Sequence, residues 1–293
     1  MKQSLLIAGL VLSHLSIQAQ NPAAFSPDNT HPKAIQGMKL IWNDEFNTNG
    51  KPDPNYWRYE KGFVRNQETQ WYQTDNAVIK DGVLLIEGRK EAIKNPDYIA
   101  GSTDWRKNRE YSEYTSASIQ TRGFKDWRFG RVEVRARIDT TMGSWPAIWT
   151  LGVNKPWPSN GEVDIMEFYR VKGVPTILAN VAWGTEKQYI AKWDEAKIPL
   201  EKFTAKDKDW VKKFHIWRMD WDKEAIRLYL DDELLNTTLL TETINADGSN
   251  PFLQEQYLLL NLALGGNNGG KPTKDLIKYE VDYVRIYQKE KGE

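Results

Sequence analysis

The chain consists largely of short runs rich in β-branched and aromatic residues, each bounded by turn-forming residues. These runs extend from MKLIWNDEF, which begins at residue 38, to YEVDYVRIYQK, which ends at residue 289, and no segment of helical periodicity separates them. Such a series predicts an all-β sandwich rather than a fold of alternating strands and helices. The length of 293 residues is compatible with a single sandwich domain.

The run GRVEVRARID has the alternation of a half-buried strand. Its apolar residues, from Val132 to Ile138, share one face, and its charged residues share the other. The charged face includes Glu133 and Arg135. This face either meets water on the outside of the sandwich or lines a concave polar cleft, and the alternation leaves both alternatives open.

The amino-terminal residues have the pattern of a secretory leader. Lys2 supplies a positive charge, residues 5–12 form a short apolar core, and Ala19 ends a candidate cleavage site. We therefore expect a signal peptide over residues 1–19 and export to the periplasm, the cell surface or the medium. The alternative is an ordinary buried helix. No later run reaches the roughly 18 apolar residues of a membrane-spanning helix, so we expect no membrane span.

The leader is followed by a different kind of segment. Residues 20–37 are polar and contain proline, which predicts a linker or a loosely ordered arm. The strand-like runs begin immediately after it. We therefore expect one folded domain over residues 38–293.

Charge and scarce residue types exclude several classes of function. The 40 basic and 40 acidic residues cancel, so the chain lacks the basic excess that nucleic-acid binding favours, and we expect no nucleic-acid partner. The absence of cysteine removes disulfides, cysteine nucleophiles and thiolate metal sites. With three histidines and neither a G-x-S-x-G nor an H-E-x-x-H motif, the sequence does not indicate a serine hydrolase or a zinc protease.

Aromatic residues are unusually numerous. The chain contains 13 tryptophans and 13 tyrosines, many of them in loops or at the ends of strand-like runs. Core packing explains any single one of them, but the number exceeds what one core needs. Flat apolar rings with a polar edge suit the C–H faces of sugars, so this excess indicates a carbohydrate ligand.

The run GEVDIMEFY places three carboxylates, Glu162, Asp164 and Glu167, in an apolar context. The spacing alone is weak, because it arises roughly 0.7 times by chance in such a chain. On a regular strand Glu162 and Asp164 would share a face and Glu167 would point the other way. A one-residue β-bulge would return Glu167 to their face. The alternative is a solvated strand face with incidental acids.

Such a bulge would create a pair of glutamates suited to glycoside cleavage. Their Cα atoms would lie about 13 Å apart, and their carboxyl groups could close to about 5 to 5.5 Å over a substrate, as in retaining glycosidases. One carboxylate would attack the anomeric carbon while the other protonated the leaving oxygen. Asp164, between them, would orient the nucleophile and raise the proton affinity of the pair.

The catalytic run and its neighbours are similar to a known family. GSWPAIWTLG followed by WPSNGEVDIMEFY resembles the catalytic region of glycoside hydrolase family 16, in the bulged E-x-D-x-x-E form of laminarinases and related endo-β-glucanases. LIWNDEF, DGVLLIEGRK, GRVEVRARID, QYLLLNLALGG and VDYVRIYQK extend the resemblance over about residues 38–288. The resemblance implies a catalytic domain over residues 38–293, folded as a β-jelly-roll sandwich of two curved antiparallel sheets with a concave glycan-binding cleft.

The resemblance also implies roles for individual residues. It makes Glu162 the nucleophile, Asp164 the assisting acid and Glu167 the acid/base, with no cofactor required for catalysis. Trp145 and Trp157 match sugar-stacking positions. Further substrate contacts, by hydrogen bonding or stacking, are expected from Asn66, Trp71, Glu133 and Arg135.

A structural calcium ion is a further expectation from the resemblance. Asp282, with main-chain oxygens near Gly82 and with Glu45, matches the residues that hold calcium in many relatives, and hard oxygen ligands suit that ion. The alternative is an ordinary exposed Asp282.

One departure from the family pattern leaves the glycan open. In the run LANVAWG, Ala182 stands where laminarinases commonly have a histidine. We expect a monomeric, secreted, endo-acting retaining β-glycosidase that cleaves β-1,3- or mixed β-1,3/1,4-glucan. The alternatives are an endo-β-1,4-galactosidase acting on host O-glycans or algal galactans, and a non-catalytic carbohydrate-binding protein. Insertions over residues 90–114 and 187–210 are expected to shape the ends of the cleft and select the substrate.

Overall fold

Two β-sheets packed face to face form the protein. A computed structural model describes residues 22–290, so the predicted signal peptide over residues 1–19 lies outside the described residues. The apolar faces of the sheets meet in one core that includes Val134, Ile148 and Leu260. The all-β jelly-roll sandwich expected from the sequence is confirmed.

The described residues form eighteen strands, numbered in chain order. They are β1 (Met38–Asp44), β2 (Arg58–Tyr59), β3 (Gln70–Tyr72), β4 (Ala77–Lys80), β5 (Val83–Lys94), β6 (Tyr111–Ser116), β7 (Ser118–Gln120), β8 (Asp126–Trp127), β9 (Gly130–Ile138), β10 (Ser144–Gly152), β11 (Glu162–Val171), β12 (Val174–Gly184), β13 (Ala191–Pro199), β14 (His215–Trp221), β15 (Ala225–Leu230), β16 (Glu233–Leu239), β17 (Gln256–Leu264) and β18 (Leu276–Lys289).

Helical structure between residues 22 and 290 is limited to single turns. Two are α-helical, α1 (Glu201–Thr204) and α2 (Gly266–Gly269). The 3₁₀ turns are Pro22–Ala24, Thr74–Asn76, Trp210–Lys212, Leu240–Glu242 and Pro251–Leu253. Over the same residues, no helix has the length and apolar character needed to cross a membrane.

The two sheets differ in the number and order of their strands. The larger has ten strands in the order β16-β15-β14-β9-β18-β5-β6-β3, with β1 paired to β18 and β4 to β5. The smaller has eight, in the order β13-β12-β11-β10-β17-β7-β2, with β8 paired to β17. The pairings are antiparallel except that β3 runs parallel to β6. Consecutive strands are mostly neighbours, as expected for short connections.

Strand β9 resolves the ambiguity of its alternating sequence. Val132 and Val134 are fully buried in the core. The charged residues between them therefore lie on the outer face of the ten-stranded sheet. Of the two alternatives left open by the alternation, the outer face is correct, although Arg135 on this face is buried rather than in contact with water.

The amino-terminal segment packs on that outer face. Arg135 donates hydrogen bonds to the carbonyl oxygens of Ser26 at 3.0 Å and Ala23 at 2.7 Å. The main-chain N–H of Asp28 donates to the carboxylate of Asp282 at 3.0 Å. Buried side chains of the sheet thus contact the main chain of this segment at three residues. The linker or loosely ordered arm expected over residues 20–37 stays a prediction.

The outer face of the eight-stranded sheet arranges its side chains in rows. Strand register aligns Glu162 of β11 with Leu151 of β10 on one side and with Ala182 of β12 on the other. Ala182 is in turn aligned with Trp193 of β13. Directly paired residues on antiparallel strands share a face, so this row and the rows beside it form the base of the site.

Candidate active site

A β-bulge in β11 brings the three carboxylates together. From Asp164 to Glu167, three steps along β11 match two steps along β12, and the pairing with β10 shifts at the same place. The extra residue leaves both Ile165 and Met166 in the core with no exposed surface. Glu167 therefore points to the same side of the sheet as Glu162, and the predicted bulge is confirmed.

A cavity of about 510 Å³ lies over these carboxylates. Its base is formed by strands β10, β11, β12 and β17, and its opposite sides by residues 65–68 and residues 189–195. A volume of this size is within the usual range for small-molecule binding sites. Glu162, Asp164 and Glu167 all line it.

Each glutamate accepts a hydrogen bond from one indole group. Trp157 donates from Nε1 to Glu162 at 2.8 Å, and Trp145 donates from Nε1 to Glu167 at 2.6 Å. Both tryptophans line the cavity. Trp145 is only 4% exposed and packs edge-on against Tyr169, so its ring offers little surface to a sugar. Its observed contact is with the carboxylate.

Burial raises the pKa of both glutamates above the ordinary value for this side chain. The pKa of Glu162 is raised to about 7, although the Trp157 N–H, the Arg65 guanidinium and Asp164 all oppose the increase. The pKa of Glu167 is raised to about 8, where the Trp145 N–H opposes the increase and Glu162 adds to it. The neighbours differ in direction: Arg65 and Asp164 lower the pKa of Glu162, whereas Glu162 and Glu68 raise the pKa of Glu167.

Asp164 lies between the two glutamates, and the pKa of its carboxyl group is raised as well. Burial and the neighbouring charges of Glu162 and Glu167 raise its pKa well above the usual range, and Asn180 partly opposes this by donating from Nδ2 at 3.4 Å. The hydrogen bond that Asp164 shares with Glu162 raises the pKa of Asp164 and lowers that of Glu162. In the protonated state Asp164 is the donor, and Glu162 is free to ionise.

The loop before β3 supplies one side of the cavity. Asn66 lines the cavity at the position expected from the sequence, and its neighbours Arg65 and Glu68, which the sequence did not single out, line it as well. Arg65 forms an ion pair with Glu60 through Nη2, while its Nη1 atom is buried without a hydrogen-bond partner. In the sequence, the position of Arg65 and Glu68 on either side of Asn66 was the feature that could have identified them as site residues.

Three predicted substrate contacts are not in the cleft. Trp71 packs edge-on against Phe63, with ring centroids 5.3 Å apart, and is absent from the cavity lining. Glu133 and Arg135 lie on the outer face of the ten-stranded sheet, across the sandwich from the cavity. The resemblance-based prediction that Glu133 and Arg135 contact substrate in this cleft is wrong, because they lie on the other sheet. The structure brings Trp71 to Phe63 and not to the cavity.

The residues expected to hold calcium do not fit a metal ion. Asp282 forms an ion pair with the guanidinium of Arg135, and Glu45 accepts hydrogen bonds from Arg285 at 3.0 and 2.7 Å. Each carboxylate thus already has a cationic partner. In the part of the chain that the structure describes, no group of three or more histidine, aspartate and glutamate side chains could hold a metal ion. Gly82 packs near the side chains of Pro27 and Asn29.

The second predicted insertion reaches the cleft, and the first contacts a loop that lines it. In the first, Arg109 donates to the Glu68 carbonyl at 2.8 Å and Arg106 to the Val64 carbonyl at 2.9 Å, so this insertion holds the loop that forms one side of the cavity. The second folds as β13 and α1 rather than as a loop, and it brings Tyr189 and Trp193 to the cavity.

The sequence also matches a described protein family. Residues 65–285 match the model of "Glycosyl hydrolases family 16". A curated relative, a beta-glucanase of Rhodothermus marinus, is 36% identical over 274 residues, which is 85% of this chain and 85% of the relative.

Solved structures are similar over nearly the same range. One, from work on endo-acting O-glycanases by which prominent members of the human gut microbiota initiate mucin breakdown, has a TM-score of 0.79 and 35% identity, and covers 89% of this chain and 94% of its own. The catalytic domain of the Thermotoga maritima laminarinase has a TM-score of 0.71 and 28% identity. The match covers 86% of this chain and 99% of the laminarinase domain.

Proposed function

The chain belongs to glycosyl hydrolase family 16, and we propose that it is an endo-acting retaining β-glycosidase that hydrolyses β-1,3- or mixed β-1,3/1,4-glucan. The observation that supports this most directly is the bulge in β11, which points Glu162 and Glu167 into one cavity on either side of Asp164. Retaining glycosidases use two carboxyl groups in this way.

In the first half of the reaction, Glu162 is the nucleophile. Its ionised carboxylate attacks the anomeric carbon, the bond from that carbon to the leaving oxygen breaks, and Glu167 gives its proton to that oxygen. The surroundings support this assignment, because Arg65 and Asp164 favour the ionised form of Glu162, whereas the charges of Glu162 and Glu68 favour the protonated form of Glu167. When protonated, Asp164 donates a hydrogen bond to Glu162 and so favours the ionised form of the nucleophile.

In the second half, Glu167 acts as a base. It accepts a proton from a water molecule, which attacks the anomeric carbon and displaces Glu162. The product keeps the β-configuration because the anomeric carbon is inverted twice. Trp145 and Trp157 hold the two carboxylates at their positions through both steps.

Three observations bear on the identity of the glycan. The β-glucanase and laminarinase relatives support a β-glucan. Ala182, however, aligns with Glu162 where a hydrogen-bonding histidine would be expected, and the O-glycanase structure is similar at 35% identity. These two facts favour a second candidate, an endo-β-1,4-galactosidase acting on host O-glycans or algal galactans.

The test is to incubate the protein with laminarin, barley glucan, agarose, keratan and mucin, and to size the products. Depolymerisation of laminarin or barley glucan would support the first candidate, and cleavage of keratan, mucin or agarose alone the second. NMR of early products should show the β-anomer, and inversion would exclude the mechanism. The Glu162→Gln variant should retain glycan binding and lose at least about 10³-fold in turnover.

A non-catalytic binding protein is distinguished by the same experiment. A binding protein would retain glycans without shortening them, in the wild type as in Glu162→Gln. We also propose export, which is supported by the leader-like residues 1–19. Sequencing the amino terminus of the protein recovered outside the cytoplasm tests this, and an intact leader on an intracellular protein would contradict it.

A further inference from the structure

An exposed aromatic surface stands at one side of the cleft, on the hairpin between β12 and β13. Tyr189 is 62% exposed and Trp193 is 40% exposed, and both line the cavity over the carboxylates. The deeper tryptophans differ. Trp145 and Trp149 are 4% and 7% exposed, and their indole N–H groups are bonded within the protein. Trp157 and Tyr169, which also line the cavity, are partly buried, so Tyr189 and Trp193 carry the most exposed rings in the cleft.

The position of Trp193 is not explained by folding. Strand β13 is held through its other face, where Ala196 and Ile198 pack against the core and Asp194 accepts a hydrogen bond from Thr238 at 2.7 Å. Side chains alternate along a strand, so Trp193 points away from that face. Exposed large apolar rings that flank a cavity commonly mark a binding surface.

Strand register places Trp193 at a defined distance from the nucleophile. Glu162, Ala182 and Trp193 lie in one row across three neighbouring strands. Two strand spacings put Trp193 roughly 10 Å from Glu162 between Cα atoms. Ala182, the residue between them in this row, is fully buried and does not line the cavity, so the roughly 10 Å between Glu162 and Trp193 is about the length of two sugar units. The ring therefore lies beside a sugar other than the one that reacts.

The charge of the cleft limits which sugar can bind there. The lining residues include several carboxyl groups and one cationic side chain, that of Arg65, which is paired with Glu60. Glu195 follows Trp193 on the same face of β13. A sulfate or carboxylate on the ligand would face these acids without a free partner, which is costly in a partly buried site. The site therefore suits an uncharged sugar.

We propose that Trp193 and Tyr189 form a distal subsite that binds an uncharged pyranose by stacking on its C–H face. This subsite makes recognition depend on an extended glycan chain, and it occupies the side of the cleft where Ala182 replaces a polar residue. It rests on the proposed function for the position of the cleaved bond, whereas the stacking itself requires only that a glycan enter the cleft.

The experiment compares Trp193→Ala, Trp193→Phe and Tyr189→Ala with a matched control. Tyr111→Ala removes a ring that is 51% exposed on β6, in the other sheet. For each variant, kcat/KM is measured on laminarin and on laminaritriose, or on long and short forms of whichever panel glycan the wild type cleaves. Binding to the same glycans is measured by gel retardation in the inactive Glu162→Gln background.

The subsite predicts a specific pattern. Trp193→Ala should lower the ratio of long-chain to short-chain kcat/KM about tenfold and reduce gel retardation about tenfold, while Trp193→Phe should recover most of both. Tyr189→Ala should show a smaller loss in the same direction, and Tyr111→Ala none. Desulfated keratan should retard the protein more than sulfated keratan if keratan binds.

Two outcomes separate this proposal from the proposed function. If the wild type depolymerises a glycan, but Trp193→Ala leaves both the long-chain to short-chain ratio of kcat/KM and the gel retardation unchanged, the subsite alone is overturned. Retardation that depends on Trp193, without depolymerisation by the wild type, would overturn the hydrolase and leave the subsite standing. Equal losses on long and short chains, accompanied by a lower melting temperature, would show a structural role and overturn the subsite.

Discussion

Trp145 donates its indole N–H to Oε1 of Glu167 over 2.6 Å, and this contact fixes the carboxylate at the far end of the bulge. A donor to a carboxylate stabilises its ionised form and so lowers its pKa. Burial acts in the opposite direction and is the larger effect at Glu167. Trp157 has the same relationship to Glu162. Each tryptophan should therefore control one limb of the pH–activity profile.

Replacing Trp145 with phenylalanine should move the alkaline limb to higher pH. Loss of the N–H removes a contact that lowers the pKa of Glu167, so the residue stays protonated beyond pH of about 8. We expect kcat/KM at the optimum to fall on the order of tenfold, because the carboxylate is less well oriented. The measurement is kcat/KM against pH. An unmoved alkaline limb would remove Glu167 from the role of acid.

Replacing Trp157 with phenylalanine should move the acidic limb instead. The pKa of Glu162 rises from about 7 when its indole donor is lost, so less of the nucleophile is ionised at neutral pH and activity there decreases. A fitting control is Trp221→Phe, since that buried indole donates to the Phe252 carbonyl in another part of the fold. If Trp221→Phe shifted either limb, the effect would not be specific to the carboxylates.

The raised pKa values also predict a pH-dependent cost in stability. A carboxyl group whose pKa is 4.5 when unfolded and about 8 when folded stabilises the fold below pH 4.5, and this contribution is lost as the pH rises through 8. Glu167→Gln should therefore be more stable than the wild type at pH 9 by on the order of 2 kcal/mol, with little difference near pH 5. Urea denaturation at both pH values measures this. A difference that does not change with pH would show that Glu167 is not buried as a carboxylate.

The sequence was sufficient for the catalytic strand because the bulge leaves a trace in residue spacing. Glu162 and Asp164 follow a period of two, and the apolar pair Ile165 and Met166 breaks it before Glu167. When two consecutive apolar residues separate acids on a strand, both can be buried in the core only if the strand is bulged there. The other long strands, except β13, were equally evident, because their side chains alternate or are uniformly apolar.

The sequence was not sufficient where tertiary contacts decide the outcome. Strand β13 has polar residues on both faces, so its pairing with β12 is visible only once the sheet exists. The direction of Glu133 and Arg135 depends on which sheet β9 joins, which strand patterning does not encode. Trp71 is placed by Phe63, a contact across a turn that no periodicity reports.

The ion pair of Arg135 and Asp282 is the basis of the last prediction. Both side chains are buried, at 7% and 2% exposure of the residue, and the guanidinium also binds the carbonyls of Ser26 and Ala23. A cation of the protein itself thus lies where the family resemblance led us to expect calcium. We therefore expect neither calcium nor a chelator to change the melting temperature of the wild type by more than about 1 °C, because the carboxylates of Asp282 and Glu45 are already paired with arginine.

The Arg135→Met variant should differ from the wild type in its stability and in its response to calcium. It leaves the Asp282 carboxylate buried without its partner and the two carbonyls unsatisfied, so we expect a loss of about 3 kcal/mol in the free energy of unfolding. Adding Asp282→Asn should recover part of that loss, because the buried charge is then removed together with its partner. Calcium should raise the melting temperature of Arg135→Met more than that of the wild type, since the vacated carboxylate and carbonyl oxygens are hard ligands. Destabilisation of the wild type by a chelator would contradict the prediction, because it would mean that a metal ion, and not Arg135, neutralises this side of the sandwich.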